Sequence, residues 1–265
     1  MPGRRRDGGR VDSLMQVVMD SVGFSYSDRK RDVTHVLDRC DLKVESESVH
    51  AIVGPSGCGK STLLRLLAGL EKPTRGEIRF IGPRRHAQVR ALVFQDPTLI
   101  PWWTVGRNLG IGIEFDDTRR SLYSKVRDFT AHRVGLERLT DRLPGTLSRG
   151  QQTRVGIGRA LAYDADVMLL DEPFTHLDAL AARQLREELE THWQLDPRTY
   201  LLVTHDIDEA VLLADRVSVM SRAPAHIVET VEVDVGRPRT VDALTAPGAR
   251  AAIARIWDVL DRASQ

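Results

Sequence analysis

Cysteine is nearly absent: Cys40 and Cys58 are the only two in 265 residues. Two thiols so placed exclude a disulfide framework and a cysteine-ligated metal centre, and they suit a reducing compartment. No apolar run approaches the ~20 residues needed to span a bilayer, so any membrane role has to come through a partner. Charge of one sign is missing too. The 38 basic side chains balance 37 acidic ones, which gives no general attraction to nucleic acid or to anionic lipid. Aromatic residues make up only 5% of the chain against 42% hydrophobic residues in all, so the core is expected to be aliphatic. Arg4, Arg5, Arg6 and Arg10 stand among glycines with no apolar segment after them, which argues against a secretory leader. Residues 1–15 are expected to be a flexible, solvated tail rather than a phosphate-binding arm. No internal repeat or low-complexity tract is found.

What the chain does contain is an alternation of short apolar β-rich runs with helix-period stretches, the pattern of an α/β fold with a mainly parallel sheet. Residues 49–53, 167–170, 201–203 and 217–220 read as buried strands. Leu63, Leu64, Leu66, Leu67 and Leu70 have helical spacing. Leu177, Ala181, Leu185 and Leu189 recur every four residues, which predicts another helix. Residues 17–26 and 36–44 read as half-buried strands joined by a polar loop at 27–31. Val231, Val233 and Val235 alternate with Glu232 and Asp234, as in an antiparallel edge strand. Ile253, Ile256, Trp257 and Leu260 form the apolar stripe of a last helix. The stretch 97–146 is punctuated by Pro101, Gly106, Gly110, Gly112 and Pro144, and Leu122, Val126 and Phe129 fall on one helical face. It reads as a small helical lobe inserted into the sheet domain.

Gly54-Pro55-Ser56-Gly57-Cys58-Gly59-Lys60-Ser61 matches G-x-x-x-x-G-K-[ST] between a strand and a helix. Glycines there let backbone N–H groups wrap a phosphate without side-chain clash, and the helix that follows adds its positive dipole end. Lys60 is expected to reach the β- and γ-phosphates and the Ser61 hydroxyl to ligate Mg²⁺, with Thr62 completing the nucleotide-binding run. A glycine-rich turn that binds nothing is the bland alternative, and strand and helix in register set it aside. Cys58 occupies a permissive position of the loop and reads as a filler. Asp171 closes a buried strand, where a Mg²⁺-holding carboxylate belongs in such folds, and Glu172 is placed to act as general base on the attacking water. An acidic pair opening a surface loop is the competing reading, and the four apolar residues before it weaken that reading.

Leu147-Ser148-Arg149-Gly150-Gln151 resembles the LSGGQ signature of ABC ATPases. Other elements of that family follow in order. Gln95, in Val93-Phe94-Gln95-Asp96, resembles the Q-loop glutamine, Leu177-Asp178 the D-loop, and His205, in Val203-Thr204-His205-Asp206, the switch histidine. Tyr26 is placed for the aromatic that stacks on adenine, with Phe24 as second choice. The resemblance covers about residues 17–237. It implies a P-loop NTPase core with a mainly parallel sheet, an antiparallel β subdomain near the N-terminus and an inserted helical subdomain at about 97–154. The ATPase domain would then span 16–240 and a helical extension 241–265. It also implies ATP and Mg²⁺ as cofactors. Two copies would face head to tail, with ATP between the phosphate loop of one and Ser148, Gly150 and Gln151 of the other. Catalysis would rest on Lys60, Gln95, Glu172 and His205, and the metal site on Ser61, Gln95 and Asp171. Gln95 would also link the site to the helical lobe.

Arg149 departs from the signature by replacing its first glycine, and reads as a tolerated side chain pointing away from nucleotide. His176, beside the D-loop, reads as a polar surface residue. Trp102 and Trp103, just after Gln95, suit either local core packing or a groove for a partner's helix. This segment, with Ala214-Asp215-Arg216-Val217 and residues 233–239, is similar to the nitrate, sulfonate and taurine uptake group of bacterial importers. That similarity implies transmembrane permease subunits, a solute-binding protein, no nucleic acid, and a place on the cytoplasmic face of the cell membrane. A soluble accessory ABC ATPase and the ATPase of an exporter or lipid-transfer complex remain open, because their chemistry is the same. The short middle lobe argues against a DNA-repair relative, which would carry a long coiled-coil insertion.

Overall fold

The computed structural model describes residues 15–263 apart from 28–32, 83–89, 116, 118 and 176. The arginine run near the start, the loop expected after Ser27, and His176 lie outside the described residues. Met15 is described and is buried, and its carbonyl accepts a hydrogen bond from Thr199 Oγ1 at 2.6 Å.

Three strands form an antiparallel sheet: β1 (Gln16–Ser27) lies between β2 (Val33–Val44) and β4 (Arg75–Ile81). The larger sheet has six strands in the order β5 (Arg90–Val93), β6 (Val167–Asp171), β7 (Thr199–Val203), β3 (Val49–Val53), β8 (Arg216–Met220) and β9 (Ile227–Glu232). Its first five strands run parallel and β9 closes the edge antiparallel. Every residue of β3, β6 and β7 is buried, which requires a sheet covered on both faces. Alternate residues of the same strands feed two separate cores. Ile52, Val167, Leu169, Leu201 and Val203 pack with α1 (Lys60–Ala68) and the small sheet. Ala51, Val53, Met168, Leu170 and Leu202 pack on the other face, against α5 (Ala179–Leu195), α6 (Ile207–Leu213) and α7 (Pro247–Ala263). Between β5 and β6 the chain forms α2 (Val105–Glu114), α3 (Tyr123–Arg133) and α4 (Arg149–Tyr163), which share a third core around Val105, Leu109, Ala131, Leu136 and Val155.

Several sequence-based expectations are corrected by the packing. Leu177 precedes α5, which starts at Ala179 behind the N-cap Asp178. The face that helix buries is Ala182, Leu185 and Leu189. On α3 the buried residues are Thr130 and Ala131, whereas Leu122 and Phe129 are exposed. The buried stripe of α7 is Ala249, Ala252, Ile256 and Val259, and Trp257 faces solvent. Periodicity finds an apolar face, but small residues define which face lies closest to the sheet. The edge strand β9 ends at Glu232. Val233 is still buried and donates its N–H to Asp215 O at 2.9 Å, outside the ladder.

The segment after β9 is pinned by arginines. Arg237 is bonded to Asp215 (2.9 Å) and to Glu190, and its guanidinium lies over Trp193. Arg239, nearly inaccessible, donates to the carbonyls of Val211 (3.0 Å) and Ala214 (2.5 Å). Removing one partner of such a network leaves a buried carboxylate uncompensated. Arg237→Ala is therefore expected to destabilise the fold by about 3 kcal/mol, read as a lower midpoint in urea unfolding. An unchanged midpoint would show the network to be energetically neutral.

Candidate functional site

Four neighbouring parallel strands, β5, β6, β7 and β3, release their C-terminal ends at one edge of the sheet. Gln95 follows the first, Asp171 ends the second with Glu172 next to it, His205 follows the third, and the glycine-rich loop follows the fourth. Loops at this edge of an open parallel sheet form the crevice in which α/β proteins bind ligands.

The loop is shaped by backbone that side chains disfavour. Gly57 and Gly59 have φ of +75° and +115°. A Cβ at Gly59 would also lie 2.7 Å from Val36 Cγ1, where β2 covers the loop. Gly59 caps α1 without any side-chain acceptor. The first helical bond runs from Leu63 N–H to Gly59 O, so the N–H groups of Lys60, Ser61 and Thr62 precede it and are available to an anion. Lys60 is buried, and its Nζ donates to its own loop, to Gly54 O at 2.8 Å and Pro55 O at 3.0 Å. Cys58 is buried beside it, and burial pushes its thiol pKa up, which fits a packing role.

Ser61 Oγ donates to Asp171 Oδ1 at 3.0 Å. Burial raises the Asp171 pKa, partly opposed by that hydrogen bond. A hydroxyl and a carboxylate are the hard oxygen ligands that Mg²⁺ prefers, with phosphate and water completing its shell. Next to them Glu172 has φ of +44°, a left-handed conformation that costs a non-glycine residue and is held by its N–H bond to Val203 O at 2.9 Å. Thr175 Oγ1 donates to Glu172 Oε2 at 3.0 Å, and His205 Nδ1 lies 3.2 Å from the same oxygen. Loops after two adjacent strands thus join their polar groups. Thr175 carried no motif signal and was not anticipated. Gln95 is exposed and makes no side-chain hydrogen bond among the described residues. It lies two residues past the Val93–Leu170 strand pair, as Glu172 does on β6. Of the two candidate stacking rings, Phe24 is buried and meets Tyr26 in a T-shaped contact, with centroids 4.8 Å apart. Tyr26 is the more exposed of the two, at 38%.

Ser148 caps α4, and with Gln151 it forms a reciprocal capping box: Gln151 N donates to Ser148 Oγ (3.3 Å) and Ser148 N to Gln151 Oε1 (3.0 Å). Gly150 lies under the D-loop, where a Cβ would be 3.5 Å from Leu177 Cδ2. Among the described residues no hydrogen bond or ion pair joins Ser148, Gly150 or Gln151 to residues 54–62 of the same chain. The loop 100–104 is fixed by buried Asn108, whose Nδ2 donates to the carbonyls of Ile100, Trp103 and Thr104, each at 3.1 Å. Trp103 is half-buried with Arg107 over its ring at 3.8 Å, and Trp102 is 76% exposed.

A family model described as ABC transporter matches residues 37–175. An aliphatic sulfonates import ATP-binding protein of Pseudomonas savastanoi is 40% identical over 228 residues, covering 86% of this chain and 89% of that protein. A nitrate import ATP-binding protein of Synechocystis is 41% identical over 208 residues, covering 77% of this chain and 31% of that protein. A solved dimeric ATP-binding cassette, in a post-hydrolysis state with ADP and Pi, matches with a TM-score of 0.72 and 27% identity over 82% of this chain and 98% of its own.

Proposed function

The chain belongs to the ABC transporter family of ATPases, and from that premise we propose that it powers solute import through separate membrane permease subunits, of the nitrate, sulfonate or taurine type. The observation that carries the ATPase part of this reading is the meeting at one sheet edge of the phosphate loop, the Ser61–Asp171 pair and the Glu172–His205 pair. Its import part is supported by similarity to the sulfonate and nitrate import proteins. On this reading residues 16–240 are the ATPase domain with its helical lobe at about 97–154, and 241–265 are an extension. Among the described residues no helix is long and apolar enough to cross a membrane, so attachment to the cytoplasmic face would come from the permease, with a solute-binding protein completing the complex.

Each residue then has a chemical task. Lys60 exchanges the Gly54 and Pro55 carbonyls for the β- and γ-phosphates, and the open N–H groups of α1 receive the same charge. Tyr26 offers its face to adenine. Ser61 and Asp171, with Gln95, would hold Mg²⁺, which when bound neutralises phosphate charge. Glu172 orients the attacking water and accepts its proton, and His205 beside it steadies the γ-phosphate. Ser148, Gly150 and Gln151 have no partner in the phosphate loop of their own chain, and their helix N-terminus suits the nucleotide of a second copy. Two copies therefore close on two ATP molecules.

The permease contact is assigned to the groove beside the Q-loop. A cavity of about 420 Å³ there is lined by Leu70, Phe94, Ile111, Arg159 and Tyr163, among others, and Leu70 is largely exposed. Trp102 stands free on the same lobe. Replacing Trp102 and Trp103 by Ala is expected to spare ATP hydrolysis by the isolated subunit while assembly with co-expressed permease, and transport, fall by about tenfold, the effect of losing one exposed aromatic anchor. Pull-down of the permease with tagged wild-type and variant subunits reads this directly. Equal capture by both would remove the tryptophans from the interface.

A further inference from the structure

The signature turn carries an arginine, and the structure gives that arginine a partner. Arg149 Nη2 lies 3.3 Å from Asp96 Oδ1, and Nη1 donates to Gln152 Oε1 at 3.5 Å. Asp96 directly follows Gln95. Farther along α4 the same strap is held again. A Cβ at Gly156 would meet Pro97 Cβ at 3.0 Å, and Arg159 donates to Pro97 O (2.9 Å) and Thr98 O (3.2 Å). Thr98 has φ of +40°, so the strap keeps a backbone shape that these contacts must maintain. The two anchors differ in kind. Gly156 and Arg159 fix the middle of α4 through close packing and two hydrogen bonds, of which that to Pro97 O is part-buried. The Arg149–Asp96 pair grips only the first turn, beside Ser148 and Gly150, and its side chains are 41% and 74% exposed. Such a pair is weak, exchangeable and sensitive to salt.

We infer that the Arg149–Asp96 pair links the two nucleotide sites of the closed dimer. The inference rests on the head-to-tail reading proposed above. In that dimer Gln95 belongs to the site built on its own subunit's phosphate loop, whereas Ser148 and Gly150 serve the site of the partner. One ion pair inside one subunit therefore joins parts of two different sites. A movement of the strap at residues 95–98 when one site fills is delivered through Asp96 and Arg149 to the turn that meets the other nucleotide. A glycine at 149 has no side chain to reach Asp96, so this route depends on the residue in which the chain departs from the family pattern. Arg149 is a positioning residue and touches no reacting atom in this scheme.

The test is the ATP dependence of phosphate release by the purified full chain, as wild type, Arg149→Gln, Asp96→Asn, the double variant and Arg149→Lys. Two ATP molecules close one dimer, so the wild-type curve is expected to be sigmoidal, with a Hill coefficient approaching about 2. Each single variant is expected to lower that coefficient while leaving the curve partly sigmoidal, because two ATP molecules still close the dimer, and to keep the maximal rate within about threefold, as suits an exposed pair. The double variant is expected to match the singles, because the pair is already broken, and Arg149→Lys to retain the sigmoid. Raising the salt from about 50 to 500 mM is expected to flatten the wild-type curve onto that of the variants. Equal Hill coefficients in wild type and both single variants would overturn the link, as would a double variant with a coefficient lower than either single. If no ATP-dependent dimer forms, even with Glu172→Gln, the head-to-tail reading falls and takes the inference with it.

Discussion

Glu172→Gln is expected to cut phosphate release by about a thousandfold, the effect of losing a general base, and to leave ATP-bound subunits as stable dimers. The geometry makes this substitution informative. Glu172 Oε2 accepts from Thr175 Oγ1 at 3.0 Å and lies 3.2 Å from His205 Nδ1. The glutamine amide keeps an oxygen at nearly the same place and nearly the same volume, so the loop should keep its shape. What it loses is the negative charge and the capacity to take a proton from water. Binding contacts from Lys60, Ser61 and the helix N-terminus are untouched, so nucleotide should still enter and the two copies should still close. Size-exclusion chromatography with ATP, alongside phosphate release on the same samples, reads both halves of the expectation. Phosphate release at the wild-type rate would remove Glu172 from catalysis whatever the dimer does.

Lys60→Ala should act earlier in the cycle. Among the described residues the Lys60 Nζ is the one side-chain cation in hydrogen bond with the loop carbonyls, donating to Gly54 O and Pro55 O. An alanine supplies neither a bond to those carbonyls nor a charge to the phosphates. Hydrolysis is expected to fall by at least about a hundredfold, the loss that follows removal of one preorganised donor. Nucleotide affinity should fall as well, which separates this variant from Glu172→Gln. Fluorescent ATP-analogue titration and phosphate release, with circular dichroism to establish folding, make the measurement. A folded variant that binds and hydrolyses ATP normally would contradict the role given to this loop.

Much of the site was legible because its chemistry is written in short contiguous runs. A glycine-rich loop ahead of a leucine-rich helix, and an acidic pair behind four apolar residues, each announce a strand end. Four such ends fall side by side because β5, β6, β7 and β3 are neighbours, an order no local pattern reveals. The fold class was readable for the same reason, since strands buried on both faces appear as unbroken apolar runs. What stayed hidden depends on partners distant in sequence. Thr175 looks like an ordinary loop residue until its hydroxyl is seen on Glu172. Ser148 and Gln151 match a signature, and only the structure shows that both also cap α4. Trp257 falls in the apolar stripe of α7, yet Ala249 and Ala252 bring that helix close to its neighbours and leave the indole outside. Arg149 reads from the sequence as a tolerated side chain pointing away from nucleotide, and no local pattern reveals its pairing with Asp96, a contact between residues more than fifty positions apart.

The central claim is that ATP is sandwiched between the phosphate loop of one copy and the signature of another. Mixing Lys60→Ala with Ser148→Arg subunits tests it most directly. Each variant alone spoils both sites of its own dimer. A mixed dimer combines the intact phosphate loop of the Ser148→Arg chain with the intact signature of the Lys60→Ala chain, giving one good site. Statistical mixing makes about half the dimers mixed, so activity is expected to return to between about a tenth and a quarter of the wild-type rate. Both chains must first be shown folded, because losing the Ser148 cap costs about 1 kcal/mol of helix stability. Recovery on mixing is the predicted result. Two folded variants that form mixed dimers with ATP and still release no phosphate would contradict the sandwich.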